Sequence, residues 1–97
     1  MNIGVCKVRL RLPENETLKG KRQTLRSITE RVKNRFNVSI AEVDDHDLWQ
    51  MLALGITCVS TSPQHANEML SKVVAFIELC RFDAEMLDYE IEILHAL

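Results

Sequence analysis

The sequence is poor in the residues that mark most specialised sites. Its 97 residues include only three Gly, two Pro and three Cys. Cys6, Cys58 and Cys80 are too widely spaced to form a Cys-x-x-Cys pair, and each stands among apolar neighbours. We therefore expect reduced cysteines in a core rather than a zinc or redox site.

Long apolar runs are missing as well. No stretch approaches the roughly 20 apolar residues that a membrane-spanning helix needs. The first residues, MNIGVCKV, have neither the basic region nor the apolar stretch of a signal peptide. We therefore expect a cytoplasmic protein with no membrane partner.

Residues suited to catalysis or metal binding are sparse. His46, His65 and His95 lie in separate parts of the sequence, and no nucleophile–base pair is evident. The acidic segment 42–47 could bind a hard cation. Read as a calcium loop from Asp44, however, it lacks the glycine at position six and the glutamate at position twelve. A polar turn is the commoner role of such residues, so we predict no enzyme, no metal and no cofactor.

The length fits a single domain, which we place over residues 1–97. The net charge of −2 hides a strong asymmetry. Residues 1–40 hold ten Lys/Arg and three Asp/Glu, whereas residues 41–97 hold two Lys/Arg and eleven Asp/Glu. Such segregation indicates either a basic binding face or two halves that neutralise each other in the fold.

Alternation of apolar and polar residues predicts four strands, at 3–12, 37–43, 54–60 and 85–94. Thr17 is a good N-cap for a first helix over 17–36, and Ser62-Pro63 begins a second. The order βαββαβ predicts a ferredoxin-like α+β fold, an antiparallel four-stranded sheet in the order 4-1-3-2 with two helices on one face. On the open face, cations of the first strand are expected to oppose acids of the last one.

The first helix carries the functional hypothesis. Its apolar side chains fall within about 80° on a helical wheel, and basic residues border that stripe, with Lys21 close to it. We predict that an acidic partner such as RNA binds the cations Lys19, Lys21, Arg22, Arg26 and Lys33. An ordinary solvated helix face is the commoner role of such residues. The outward positions of the sheet carry no aromatic residue, so base stacking on the sheet is not expected.

Protein association is the alternative hypothesis. A sheet with one open face often completes itself in a dimer, and Ala41, Val43 and Val59 are expected to give that face an apolar patch. We predict a homodimer with Val59 in its interface. Trp49 is either a packing anchor for the second hairpin or an interface residue, because exposed tryptophan is enriched at binding hot spots.

Several segments resemble the YlxP-like family of small bacterial proteins of unknown function. They are LKGKR (18–22), RFNVSIAEVD (35–44), DLWQ (47–50), the stretch 54–62 and the closing YEIEI (89–93). The resemblance implies a ferredoxin-like fold and no assigned activity. Some relatives are encoded beside translation and ribosome-maturation factors, which implies a partner near RNA or ribosomal particles. Acylphosphatases share this fold, but their glycine-rich phosphate loop after the first strand is absent here.

Overall fold

The computed structural model describes residues 1–80 and 83–97, and its elements follow the expected order βαββαβ. They are β1 (Asn2–Arg11), α1 (Leu18–Arg35), β2 (Ser39–Asp44), β3 (Met51–Ser60), α2 (Pro63–Leu79) and β4 (Glu85–His95). The four strands form one antiparallel sheet in the order β2-β3-β1-β4. This is the predicted order read from the opposite edge, and the ferredoxin-like α+β fold is confirmed.

Both helices begin at the residues that the sequence indicated. The Thr17 hydroxyl accepts a 2.9 Å hydrogen bond from the amide of Gly20, which satisfies one of the free N–H groups of the first turn of α1. Ser62 caps α2 in the same way by accepting from the amide of His65, and Pro63 occupies the first turn.

The core lies between the sheet and the two helices. Strand β1 alternates as predicted, so that Cys6, Val8 and Leu10 are buried while Lys7 and Arg11 face water. The helices cover these side chains with apolar residues spaced three and four apart, namely Ile28 and Val32 from α1 and Ala66, Leu70, Val73 and Ile77 from α2.

Strand β3 begins at Met51, three residues earlier than the alternation predicted, because residues 51–53 pair with β1. Met51 lies opposite Arg11 and Leu52 opposite Leu10. The connection between β2 and β3 is consequently short, from Asp45 to Gln50, and it lies beside the first turn of α1.

Strand β4 forms one edge of the sheet and departs from strict alternation. Arg9 pairs with Asp88 but Leu10 pairs with Met86, so Leu87 is an extra residue in a β-bulge. Strict alternation through the predicted strand 85–94 would place Leu87 on the core side, but Leu87 is exposed and Met86 packs against the core instead. Beyond the bulge, Asp88, Glu90 and Glu92 are all exposed along this edge.

Candidate binding surfaces

The exposed cations of α1 form a continuous border along the helix. Lys19, Arg22, Arg26 and Lys33 are all exposed, and 14 residues at about 1.5 Å each place them over roughly 21 Å of the helix axis. We call these four residues the basic border. An open depression of about 480 Å³ runs beside it, lined by Arg22, Leu25, Arg26, Thr29, Glu30 and Lys33.

The basic border is not neutralised from within the part of the chain that the structure describes. None of its four side chains forms an ion pair or a side-chain hydrogen bond with residues 1–80 or 83–97. Arg35 differs, because its guanidinium lies 5.1 Å from the ring centre of Phe76 on α2. Unlike Arg35, the basic border keeps its charge directed to solvent.

Lys21 does not belong to this surface, and its predicted role in polyanion binding is corrected here. Its side chain is 2% exposed. The ammonium donates to the backbone carbonyls of Asp45 at 2.6 Å, Leu48 at 2.8 Å and His46 at 3.3 Å. It also lies 2.9 Å from Glu42 Oε2. A phosphate cannot reach an ammonium that is buried and bonded in this way.

The loop 45–50 is held from a second side by the segment that leads into α1. The Asn15 side-chain amide donates to the carbonyls of Thr17 and Trp49. Gln50 Nε2 donates to the carbonyl of Asn15 at 3.2 Å, and the carbonyl of Gln50 accepts from the amide of Leu12 at 2.9 Å. The two loops are thus joined at one end of the molecule.

The missing side chain of Gly20 permits this arrangement. A Cβ at position 20 would lie only 2.2 Å from Asn15 Oδ1. Asn15 can therefore fold over the first turn of α1 towards Trp49 only because residue 20 has no side chain. Gly20, Asn15 and Lys21 together fix the position of the loop 45–50.

The open face of the sheet neutralises part of its own charge. Lys7 Nζ lies 2.5 Å from Asp44 Oδ2, and Arg9 Nη1 lies 3.4 Å from Asp88 Oδ2. The hydrogen bond to Asp44, followed by its charge, raises the pKa of Lys7, and the same contact lowers the pKa of Asp44. Lys7 therefore reaches across β3 to β2 rather than to Glu90, its register partner on β4.

An apolar row crosses one end of the open face. Ile3 pairs with Val59 on one side and with Leu94 on the other, and Val59 is 69% exposed. Trp49, the other residue expected at an interface, is 54% exposed but precedes β3, whereas Val59 is near its end. At about 3.3 Å per residue the strand from Met51 to Val59 alone spans roughly 26 Å, so the two residues lie at opposite ends of β3 and cannot belong to one small patch.

Sequence reasoning missed one contact between a hydroxyl and an imidazole. Ser60 Oγ lies 2.9 Å from His65 Nδ1, beside an open pocket of about 600 Å³ lined by Met1, Asn2, Val59, Ser60, Thr61 and His65. Ser60 Oγ also accepts from the amide of Ser62, so these groups cap the start of α2. Among residues 1–80 and 83–97, no carboxylate within hydrogen-bond or ion-pair reach orients the other nitrogen of His65 as in a catalytic triad.

The described part of the chain holds neither a grouped set of metal ligands nor a membrane-spanning helix. Outside residues 81 and 82, no three His, Cys, Asp or Glu side chains are grouped as metal ligands. Neither α1 nor α2, the helices of the described ranges, is long and apolar enough to cross a membrane.

Comparison with known proteins identifies relatives without an assigned activity. The family model DUF503, described as a protein of unknown function, matches residues 3–91. The "Uncharacterized protein YlxP" of Bacillus subtilis (strain 168) is 45% identical over 62 residues, which are 64% of this chain and 67% of that protein. The de novo designed protein Foldit4 matches the full length of both chains with a TM-score of 0.54 at 13% identity, a likeness of fold alone.

Proposed function

The chain belongs to the DUF503 family of proteins of unknown function, and from its surface we propose that it is a non-enzymatic module that binds structured RNA along the basic border of α1. One observation carries the proposal: four exposed cations lie over roughly 21 Å of one helix without an internal ion-pair partner among the described residues. Lys and Arg contacts to phosphate supply most of the affinity of proteins for nucleic acids.

The surroundings of the basic border favour recognition of the backbone over recognition of bases. Within the four described strands, the outward positions of the sheet, among them Lys7, Thr57 and Glu90, include no aromatic side chain for stacking. Double-stranded RNA is bound mainly through its shape, its phosphates and its 2′-hydroxyls. The net charge of −2 weakens attachment to arbitrary polyanions, so a target must fit the basic border locally.

Ribosomal RNA is the first target to examine, because the family resemblance implies a partner near ribosomal particles. With Lys21 buried, four phosphate contacts remain, and counterion release then gives a log–log salt slope of roughly −3 to −4. The experiment compares wild type with Arg22→Glu/Arg26→Glu for co-sedimentation with ribosomal particles and for binding to ribosomal RNA at several salt concentrations. We expect the double variant to lose most of the binding.

A matched control separates local contact from overall charge. Arg11→Glu/Lys72→Glu changes the net charge by the same amount at exposed positions on the open sheet face and on α2. This variant should retain most of the RNA binding of the wild type. Equal loss in both double variants, or no binding by the wild type, would refute a specific role for the basic border.

A homodimer is the second candidate, and the apolar row of Ile3, Val59 and Leu94 favours it. A second copy would remove this row from water and gain about 25 cal/mol per Å² of buried apolar surface. Val59→Glu should then convert a dimer to a monomer in sedimentation velocity, while Leu79→Glu, at another exposed apolar position, should not. A wild type that remains monomeric at about 100 μM, where a contact of about −6 kcal/mol already populates the dimer, would contradict this candidate.

A further inference from the structure

The loop 45–50 exposes two large apolar side chains next to each other. Leu48 is 50% exposed and Trp49 is 54% exposed. Each can bury apolar surface only by contact with another molecule or by movement of the loop. Adjacent exposed side chains of this size are typical of interaction sites.

The backbone that carries them is held firmly. The ammonium of Lys21 donates to the carbonyls of Asp45, His46 and Leu48. The side chain of Asn15 donates to the carbonyl of Trp49. Four of the six carbonyls of the loop are thus bonded by side chains that are buried or half-buried, and the amide of Leu48 additionally donates to the carbonyl of Asp45.

These hydrogen bonds make movement of the loop unfavourable. If the loop swung inward to bury Trp49, the ammonium of Lys21 would lose three carbonyl acceptors while it remained buried, and an unsatisfied buried charge is strongly disfavoured. The apolar pair is therefore presented in one fixed position. A fixed position lowers the entropic cost of binding a partner.

The charge around the pair selects the kind of partner. Glu14 and Glu16 of the adjoining loop and Asp47 are exposed carboxylates, and Asp45 is half-buried. The cation beneath the loop, Lys21, is buried and neutralised by Glu42. Lys19 and Arg22 project about 160° and 100° around α1 from Lys21, at 100° per residue, which directs them away from this loop.

We propose that Leu48 and Trp49 form the anchor of a protein-docking site, and that its ligand is a positively charged peptide segment with an apolar side chain. Tryptophan is prominent among the residues that contribute most to protein interfaces. The surrounding carboxylates favour Lys and Arg beside the apolar side chain and repel a phosphate backbone. This site is separate from the basic border of α1, so either assignment can fail without affecting the other.

The test is a selection of binders from a random linear peptide display library on the intact protein. Trp49 is the one tryptophan of the chain, so its fluorescence reports directly on this site. We expect enriched peptides that combine net positive charge with an aromatic or aliphatic residue. Their synthetic versions should shift the emission of Trp49 to shorter wavelength as they remove it from water.

Variants then locate the contact. Leu48→Ala and Trp49→Ala should weaken binding of a selected peptide about tenfold or more, measured by calorimetry. Leu79→Ala, which truncates an exposed leucine at the end of α2, should leave the affinity unchanged. Asp47→Lys with Glu14→Lys should weaken binding while the fold, followed by circular dichroism, is retained.

Three results would overturn the proposal. They are the absence of any enriched peptide, enrichment of acidic peptides, and equal binding of the selected peptides to wild type and Trp49→Ala. An RNA duplex that competes for the site and shifts the emission of Trp49 would also overturn it, because it would place nucleic acid on a surface assigned here to protein.

Discussion

The ammonium of Lys21 lies 2.9 Å from Oε2 of Glu42, and the two side chains are 2% and 12% exposed. Glu42 Oε2 is buried and has no hydrogen-bond partner by geometry among the described residues. The Lys21–Glu42 ion pair therefore supplies the charge compensation for this buried oxygen. It joins α1 to β2 and at the same time fixes the loop that follows β2.

Replacement of Lys21 by methionine should destabilise the protein severely. Lys21→Met leaves the Glu42 carboxylate with only the imidazole of His46, 3.9 Å from Oε1 and charged only when protonated, and it removes the donor from three carbonyls. Breaking a buried pair in this way costs about 3–5 kcal/mol. Urea denaturation followed by circular dichroism measures the change in the free energy of unfolding. In this variant the fluorescence of Trp49 should change at a lower urea concentration than the circular dichroism, because the loop 45–50 unfolds before the helices and the sheet.

A double variant and a control test whether the unpaired charge of Glu42 causes the loss of stability. Lys21→Met/Glu42→Leu removes both charges, so it should be more stable than Lys21→Met alone. Lys72→Met, at an exposed lysine of α2, should change stability by less than about 0.5 kcal/mol. If Lys21→Met proves as mild as Lys72→Met, the buried pair does not exist in solution.

The case of Lys21 shows what the sequence could and could not predict. Lys21 precedes Leu25, Ile28 and Val32 by 4, 7 and 11 residues, which places it on the apolar stripe of α1. Burial could have been inferred from this spacing. Its acceptors could not, because the carbonyls of residues 45–48 are 24 to 27 residues away and only the tertiary fold brings them near.

The alternation of apolar and polar residues predicted the faces of the sheet more fully than the distribution of charges predicted the ion pairs. The alternation of β1 assigned the buried and exposed faces correctly, because one face of an antiparallel sheet is covered and the other is not. The predicted opposition of charges is confirmed by the register, since Arg9 lies opposite Asp88 and Lys7 opposite Glu90, but the long side chain of Lys7 forms its ion pair with Asp44 instead. Long flexible side chains choose among several acids within reach, and register alone does not decide between them.

Two glycines of the sheet should differ in their tolerance of alanine. A Cβ at Gly4 would lie 2.7 Å from Leu70 Cδ1 and 3.1 Å from Cys58 Sγ, inside the packed core between β1 and α2. A Cβ at Gly55 would meet Val43 Cγ1 at 2.5 Å, but Val43 is an exposed side chain that can turn away. We expect Gly4→Ala to cost about 1–3 kcal/mol by overpacking and Gly55→Ala clearly less, as measured by thermal unfolding.

The pair of Lys7 and Asp44 should be visible in a pH titration. The folded protein lowers the pKa of Asp44, so the contribution of this carboxylate to stability is present above its unfolded pKa and is lost as the pH falls through its folded pKa. The pKa of Lys7 is raised, so the contribution of the lysine is lost only as the pH rises through that higher value. Carbon-detected NMR should find the pKa of Asp44 restored towards its ordinary value in Lys7→Gln. An unchanged pKa in that variant would exclude the contact with Lys7 as the cause.

Cys6 should be unreactive at neutral pH. Burial raises the pKa of the Cys6 thiol to about 11, so the reactive thiolate is scarce and the sulfur is shielded from solvent. Cys80, half-buried at the end of α2, should react with iodoacetamide first. Mass spectrometry after a timed reaction, with and without urea, shows the order in which the cysteines are modified. Modification of Cys6 as fast as that of Cys80 in the native protein would contradict its placement in the core.

The acidic side chains of β4 limit which strands of another molecule can pair with this edge of the sheet. An edge strand of 11 residues offers unpaired amides and carbonyls to any other strand, which makes it a template for uncontrolled sheet growth. If two copies met along β4, Asp88, Glu90 and Glu92 of each would be forced close to those of the other. Repulsion between these carboxylates disfavours pairing of two copies along β4, and so it limits each sheet to its own four strands.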